Sequence, residues 1–140
     1  MRNVIDRDTC ERNIEVVKEF FRLVEANDVQ GAQKDFNFDV FELHESPGLP
    51  YGGVWHGQAA FNRFMALIYD TWKPLEVEIL DFLAGGEWVC AYQMLLGTGK
   101  TGLQFSTTVA EMWRVRDGKI IELRPHYWDT HRMRAIDGRL

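Results

Sequence analysis

An α+β fold is what this sequence predicts, and three observations lead there. Helical periodicity is confined to the first half of the chain, period-two alternation fills most of the second half, and the strand signals there follow one another across short glycine-containing turns. The expected architecture is a few N-terminal helices packed into a curved antiparallel sheet around an apolar, ligand-sized pocket. The 140 residues are 46% hydrophobic, enough for one core without disulfides or a metal. No repeat, low-complexity tract or linker interrupts them, so a single domain over 1–140 is expected.

The first element opens at Asp8-Thr9-Cys10-Glu11, which has the look of a capping box. Ile14, Val17, Phe20 or Phe21, and Val24 then recur on one helical face, with Glu15, Lys18, Glu19 and Arg22 largely off it. This helix should stop near Ala26-Asn27, and Asp28 can cap a short second helix from Val29 to Lys34, weakened by Gly31. Phe38–Glu45 reads as a strand. Ser46-Pro47-Gly48-Leu49-Pro50-Tyr51-Gly52-Gly53 cannot be regular structure, because its prolines lack donors and its glycines permit positive φ. A third helix is expected over Gln58–Tyr69, burying Phe61, Phe64, Met65 and Ile68.

Beyond Trp72-Lys73-Pro74 the period becomes two: Leu75, Val77 and Ile79 alternate with Glu76 and Glu78. Gly85-Gly86 turns the chain into Trp88–Leu96, and Gly97 to Gly102 turns it into Leu103–Arg116. Asp117-Gly118 is a two-residue hairpin signal leading into Ile120–Tyr127.

Several classes of function are disfavoured. A net charge of −5 and a pI near 5.3 argue against a phosphate-tracking surface and so against nucleic acid. Arg124, Arg132, Arg134 and Arg139 form a basic C-terminal stretch that reads as a solvated face. Gly99-Lys100-Thr101 lacks the first phosphate-loop glycine, since Met94 stands there, and it joins two strands. Cys10 and Cys90 have no metal-ligand spacing, and no metal site is expected. Without a signal peptide or an apolar run of membrane length, the expectation is a cytoplasmic protein with no membrane contact.

The stretch Leu49-Pro50-Tyr51-Gly52-Gly53-Val54-Trp55-His56-Gly57 resembles the segment between the first strand and third helix of SnoaL-like proteins, in the nuclear transport factor 2-like superfamily. Asn13–Asn27 with Asp28-Val29, and Asp117-Gly118-Lys119-Ile120 with Arg124–Thr130, resemble that family's opening helices and final hairpin. Together these segments cover nearly the whole chain. The resemblance implies a cone-shaped roll whose sheet wraps a pocket roofed by helices, and a homodimer through the sheet. The superfamily holds enzymes, binding proteins and association domains, so fold does not select among them.

In the family's ketosteroid isomerases the base lies at the end of the first strand, here Glu42-Leu43-His44-Glu45. Alternation places Glu42 and His44 on one face and Phe41, Leu43 and Glu45 on the other. Hydrophobicity favours Phe41 and Leu43 inside; a pocket would accept His44, and a bend at Ser46-Pro47 could re-aim Glu45. His44 is the preferred acid or base because imidazole titrates near neutral pH, with Glu45 read as a rim carboxylate. In SnoaL-like cyclases and limonene epoxide hydrolases an Asp after an aromatic at the last strand end acts in the pocket. Asp129 matches that position, with capping of the turn at Thr130-His131 as its structural alternative, and His126 could pair with either residue. Two family patterns are missing: no arginine precedes Arg114 on the Thr108–Trp113 strand, and Glu45-Ser46-Pro47 replaces an Asp-Pro pair.

Tyr51, Trp55, Phe64, Ile68, Trp88, Tyr92 and Trp113 are the expected pocket lining, with Tyr51 able to donate to a ligand oxygen. The reading that follows is a cofactor-free acid–base enzyme of isomerase, dehydratase or cyclase type, acting on a hydrophobic small molecule such as a polyketide, steroid or terpenoid. The alternatives are a non-catalytic binder of an apolar ligand and a dimeric association module, for which Leu95, Leu96 and the Leu103–Val115 strand would supply an apolar face.

Overall fold

The structure is a computed structural model that describes residues 6–137, so Arg139 of the basic stretch lies outside the described residues. The chain runs α1 (Arg7–Glu25), α2 (Val29–Ala32), β1 (Glu42–Glu45), β2 (Gly53–His56), α3 (Gly57–Thr71), β3 (Leu75–Gly85), β4 (Trp88–Thr98), β5 (Gln104–Arg116), β6 (Lys119–Tyr127) and α4 (Thr130–Asp137). The strands make one curved six-stranded sheet in the order β2-β1-β6-β5-β4-β3.

α1 begins earlier than the capping-box reading places it. Asp6 is the cap, accepting from the Asp8 amide at 3.1 Å and the Thr9 hydroxyl at 2.6 Å, while Glu11 pairs with Arg7 along the helix instead of reaching back. The buried stripe is Cys10, Asn13, Val17 and Phe20. Asn13 donates to the Gly86 carbonyl at 3.3 Å, fastening the helix to the β3–β4 turn.

The β3–β6 meander follows the alternation in the sequence. Val89, Ala91, Gln93 and Leu95 of β4 face the helices, as do Val109, Trp113 and Val115 of β5. Leu95 is therefore part of the interior, contrary to its expected place on an exposed association face. Gly99 to Gly102 is a plain turn, closed by the Gly99 amide donating to Leu103 at 2.8 Å.

The sheet is mixed, which corrects the purely antiparallel expectation. β1 pairs with β2 antiparallel, but lies parallel to β6 through Glu42↔Glu122 and Leu43↔Leu123. A parallel bridge from Phe36 to Ile120 extends this contact upstream. The parallel ladder ends short of Pro125, which has no amide hydrogen to offer a neighbouring strand.

Two elements were not expected. β2 and the tight entry into α3 come from the glycine-rich stretch: a Cβ at Gly52 would collide with the Ser46 carbonyl oxygen, and Gly57 opens α3 at a φ of 83°. α4 buries Met133 and Ile136 against the core. Between helices and sheet lies an aromatic cluster in which the tilted rings of Phe20 and Trp113 have centroids 4.8 Å apart and those of Phe36 and Phe61 5.2 Å apart.

Candidate functional site

Between the helices and the concave face of the sheet lies a cavity of about 530 Å³, within the roughly 300–1,000 Å³ common for small-molecule sites. α1 contributes Phe20, Phe21 and Val24, and α3 contributes Phe64, Met65, Ile68 and Tyr69. The sheet supplies Glu45, Gln93, Glu111, Trp113 and Tyr127 among mostly apolar neighbours. Tyr69 and Val77 mark the rim, at 44% and 46% exposed, whereas Glu45 and Gln93 are deep, at 5% and 3%. None of the described residues that line it is Lys, Arg or His.

Each polar group reaches the cavity by strand parity. Glu45 follows Leu43 by two positions on β1 and so faces inward with it. Glu111 sits between Val109 and Trp113 on β5, and Gln93 opposes Val109 on β4, which makes Gln93 and Glu111 diagonal neighbours.

The Glu45 carboxyl accepts from the Tyr127 hydroxyl, at 2.9 Å to Oε1 and 2.8 Å to Oε2, and from the Ser46 amide at 3.3 Å. Burial dominates these bonds and, with the nearby Glu111 charge, pushes its pKa up to about 8. Glu111 keeps some surface open to the cavity yet lies deep enough that loss of hydration raises it to about 7, against the opposing hydrogen bonds from Gln93 and Trp113. The Trp113 indole donates to Glu111 Oε1 at 2.9 Å.

Behind Glu45 stands a short relay. The Trp72 indole donates to the Tyr51 hydroxyl at 2.9 Å, and the Tyr51 and Tyr127 hydroxyls are hydrogen-bonded neighbours. Tyr127 has one proton and gives it to Glu45. Burial holds both phenols above their ordinary range. They position the carboxyl and stay protonated.

At neutral pH, then, Glu45 is largely the acid and Glu111 is divided between acid and carboxylate. Two carboxyls with separate protonation states in an apolar cavity form a proton donor–acceptor pair. Among the described residues, no three His, Cys, Asp or Glu side chains gather so as to hold a metal ion.

Of the residues expected from sequence, Phe64, Ile68 and Trp113 line this cavity. Tyr51 and Trp55 stand behind its wall: Trp55 donates its indole hydrogen to the Tyr51 carbonyl at 2.9 Å and packs on Phe64. Trp88 and Tyr92 occupy the opposite parity on β4 and face outward. Trp88 lines a shallow groove on the convex side with Leu83, Cys90, Met112, Arg124 and His126.

The expected catalytic trio is not brought together. His44 alternates away from Leu43 and Glu45, and its Nε2 lies 3.5 Å from Arg124 and 4.0 Å from Glu42 on the outer face. His126 alternates away from Pro125 and Tyr127 and lies in the convex groove. Asp129 takes its structural alternative: its carboxylate accepts from the Arg132 amide at 2.9 Å at the start of α4. The convergent groups are Glu45, Glu111, Gln93 and Tyr127. Glu111 and Gln93 were legible only as polar residues at inward positions of otherwise apolar strand faces.

Three solved structures show the fold's wider distribution. A SnoaL-like protein assigned as a polyketide cyclase from Jannaschia sp. CCS1 has a TM-score of 0.76 at 17% identity, over 100% of this chain and 99% of that one. TerC, co-crystallised with polyporic acid, has a TM-score of 0.79 at 19% identity, over 90% and 98%. An NTF2-like protein of unknown function from Burkholderia pseudomallei has 0.78 at 19% identity, over 89% and 97%. At these identities the likeness establishes the fold alone. No curated protein matches the chain significantly. The SnoaL-like domain matches residues 17–123, most of the chain and all of its strands except residues 124–127 at the C-terminal end of β6; the protein belongs to the SnoaL-like domain family.

Proposed function

We propose that the protein is an acid–base catalyst acting on a neutral, hydrophobic carbonyl compound, with Glu111 as base and Glu45 as acid. The observation that carries this reading is the pair of cavity carboxyls whose pKa values rise to about 7 and about 8. Ionised Glu111 removes a proton from carbon next to the carbonyl. Protonated Glu45, held by Tyr127, donates a hydrogen bond to the carbonyl oxygen as negative charge develops there. Return of that proton from Glu111 to another carbon gives isomerisation; its transfer to a departing β-hydroxyl, which leaves as water, gives dehydration; and its transfer to the oxygen of a second carbonyl attacked by the enolate gives cyclisation. None of these steps requires a cofactor. The neighbour assigned as a polyketide cyclase and the one crystallised with polyporic acid support an oxygenated polycyclic or aromatic substrate.

The test needs no natural substrate. In D2O the protein should accelerate exchange of the carbon-bound protons beside the carbonyl of 2-tetralone, followed by NMR. Glu111→Gln and Glu45→Gln should each slow that exchange by about a hundredfold. The rate should be bell-shaped in pH, rising through about 7 as Glu111 ionises and falling through about 8 as Glu45 does. Binding of 2-tetralone with exchange unchanged in both variants favours the non-catalytic binder instead.

A further inference from the structure

Gln93 stands out among the cavity residues because half of its amide is unused. Its side chain is 3% exposed, its amide nitrogen is committed to Glu111, and its carbonyl oxygen Oε1 is the one buried side-chain polar atom with no hydrogen-bond partner among the described residues. A buried acceptor left unsatisfied is costly, and such atoms are rare enough that each calls for a reason. Two features point that reason toward a ligand. Gln93 lines the cavity instead of packing into the closed core, and while Glu111 is ionised its bond from the Gln93 nitrogen leaves the carbonyl end of the amide over.

The surroundings narrow what can satisfy it. The cavity offers three carboxyls, Glu25, Glu45 and Glu111, and no cationic side chain among its described lining residues. An anionic ligand would find no cation among these lining residues and would be repelled by whichever of the carboxyls is ionised. What Gln93 Oε1 lacks is a donor, and the ligand must bring one.

We infer that Gln93 is the specificity-determining anchor of the cavity, its Oε1 accepting a hydrogen bond from a hydroxyl group on a neutral, largely apolar ligand. This deepens the catalytic reading and rests on the cavity being a ligand site. The substrate class becomes a hydroxylated hydrophobic ketone: the carbonyl meets Glu45, and the hydroxyl meets Gln93. A site built to receive a hydroxyl discriminates well against the analogue without one, because the analogue strands the acceptor. Gln93, bonded through its nitrogen to the base Glu111, thus reads a feature of the substrate beside the proton that is moved.

The experiment compares 2-naphthol with 2-methylnaphthalene, which match in shape and differ in the donor, by calorimetric titration. The wild-type protein should prefer 2-naphthol by about tenfold or more. Gln93→Met, which keeps the length of the side chain and removes the acceptor, should bring the two affinities together. Equal affinities in the wild-type protein overturn the inference whether or not any variant folds, and so does a preference that survives in Gln93→Met. In both cases the catalytic reading stands, because the exchange assay is independent of it. Failure of both compounds to bind the wild-type protein removes the ligand site itself, and the inference with it.

Discussion

A carboxylic acid whose pKa is higher in the folded than in the unfolded chain makes the fold sensitive to alkali. Glu45 and Glu111 rise from 4.5 to about 8 and about 7, so between those limits the folded state binds more protons than the unfolded one. Their favourable contribution is fully present below about 4.5 and is lost as pH climbs through 7 and 8. Urea denaturation across this range should show stability falling with pH. Glu45→Gln and Glu111→Gln should each flatten the fall, since a glutamine cannot ionise. A wild-type protein equally stable at both ends would mean that these carboxyls are hydrated in the folded state. The same residues show what a sequence yields at this scale. Leu43 and Glu45 share a parity, as do Val109, Glu111 and Trp113, so the apolar neighbours already indicated which polar side chains point inward. The chemical appeal of His44 near neutral pH competes with that geometric signal, and the geometry prevails because one step along a strand reverses the face.

At the scale of elements, the long meander was readable because each strand carries enough alternating residues to average out exceptions. The short pieces were not. β2 has four residues, and α4 carries only Met133 and Ile136 to mark its buried side. What identifies α4 is its cap, and Asp129 has the geometry for it: the backbone amide is held by the Thr107 hydroxyl at 2.9 Å, while the side chain accepts from Arg132. Asp129→Ala should lower stability by about 1 kcal/mol in urea denaturation and leave the exchange of 2-tetralone protons at the wild-type rate. Loss of exchange with stability intact would return Asp129 to the chemistry. The parallel placement of β1 beside β6 could not be read locally either, because pairing between segments some 80 residues apart leaves no trace in the pattern of either one.

Across the whole molecule the sheet has two unlike faces. The concave side is filled by helices and the cavity, whereas the convex side carries Leu83, Tyr92 and Leu96 at 52%, 38% and 39% exposed, with Trp128 beyond them at 86%. An apolar sheet face of this kind is suited to a second copy of the chain, in line with the dimer that the sequence resemblance implies. Sedimentation velocity should give a homodimer, and the double variant Tyr92→Asp, Leu96→Asp should sediment as a monomer with its cavity chemistry intact. A monomeric wild-type protein would exclude this use of the face. No helix among the described residues is long and apolar enough to cross a membrane.

The depth profile of the cavity has a consequence for entry. Glu25, Tyr69 and Val77 stand at the opening, and Glu45 and Gln93 wait at the floor. A molecule on its way in finds polar contact at that threshold from the Glu25 carboxyl and the Tyr69 hydroxyl, and it must surrender the rest of its hydration along apolar walls before it reaches the floor. Strongly hydrated solutes are turned back by the cost of that drying, however well they fit the floor. The doorway thus selects by ease of desolvation and the floor by hydrogen-bond pattern, two successive filters that act on different properties of the same molecule.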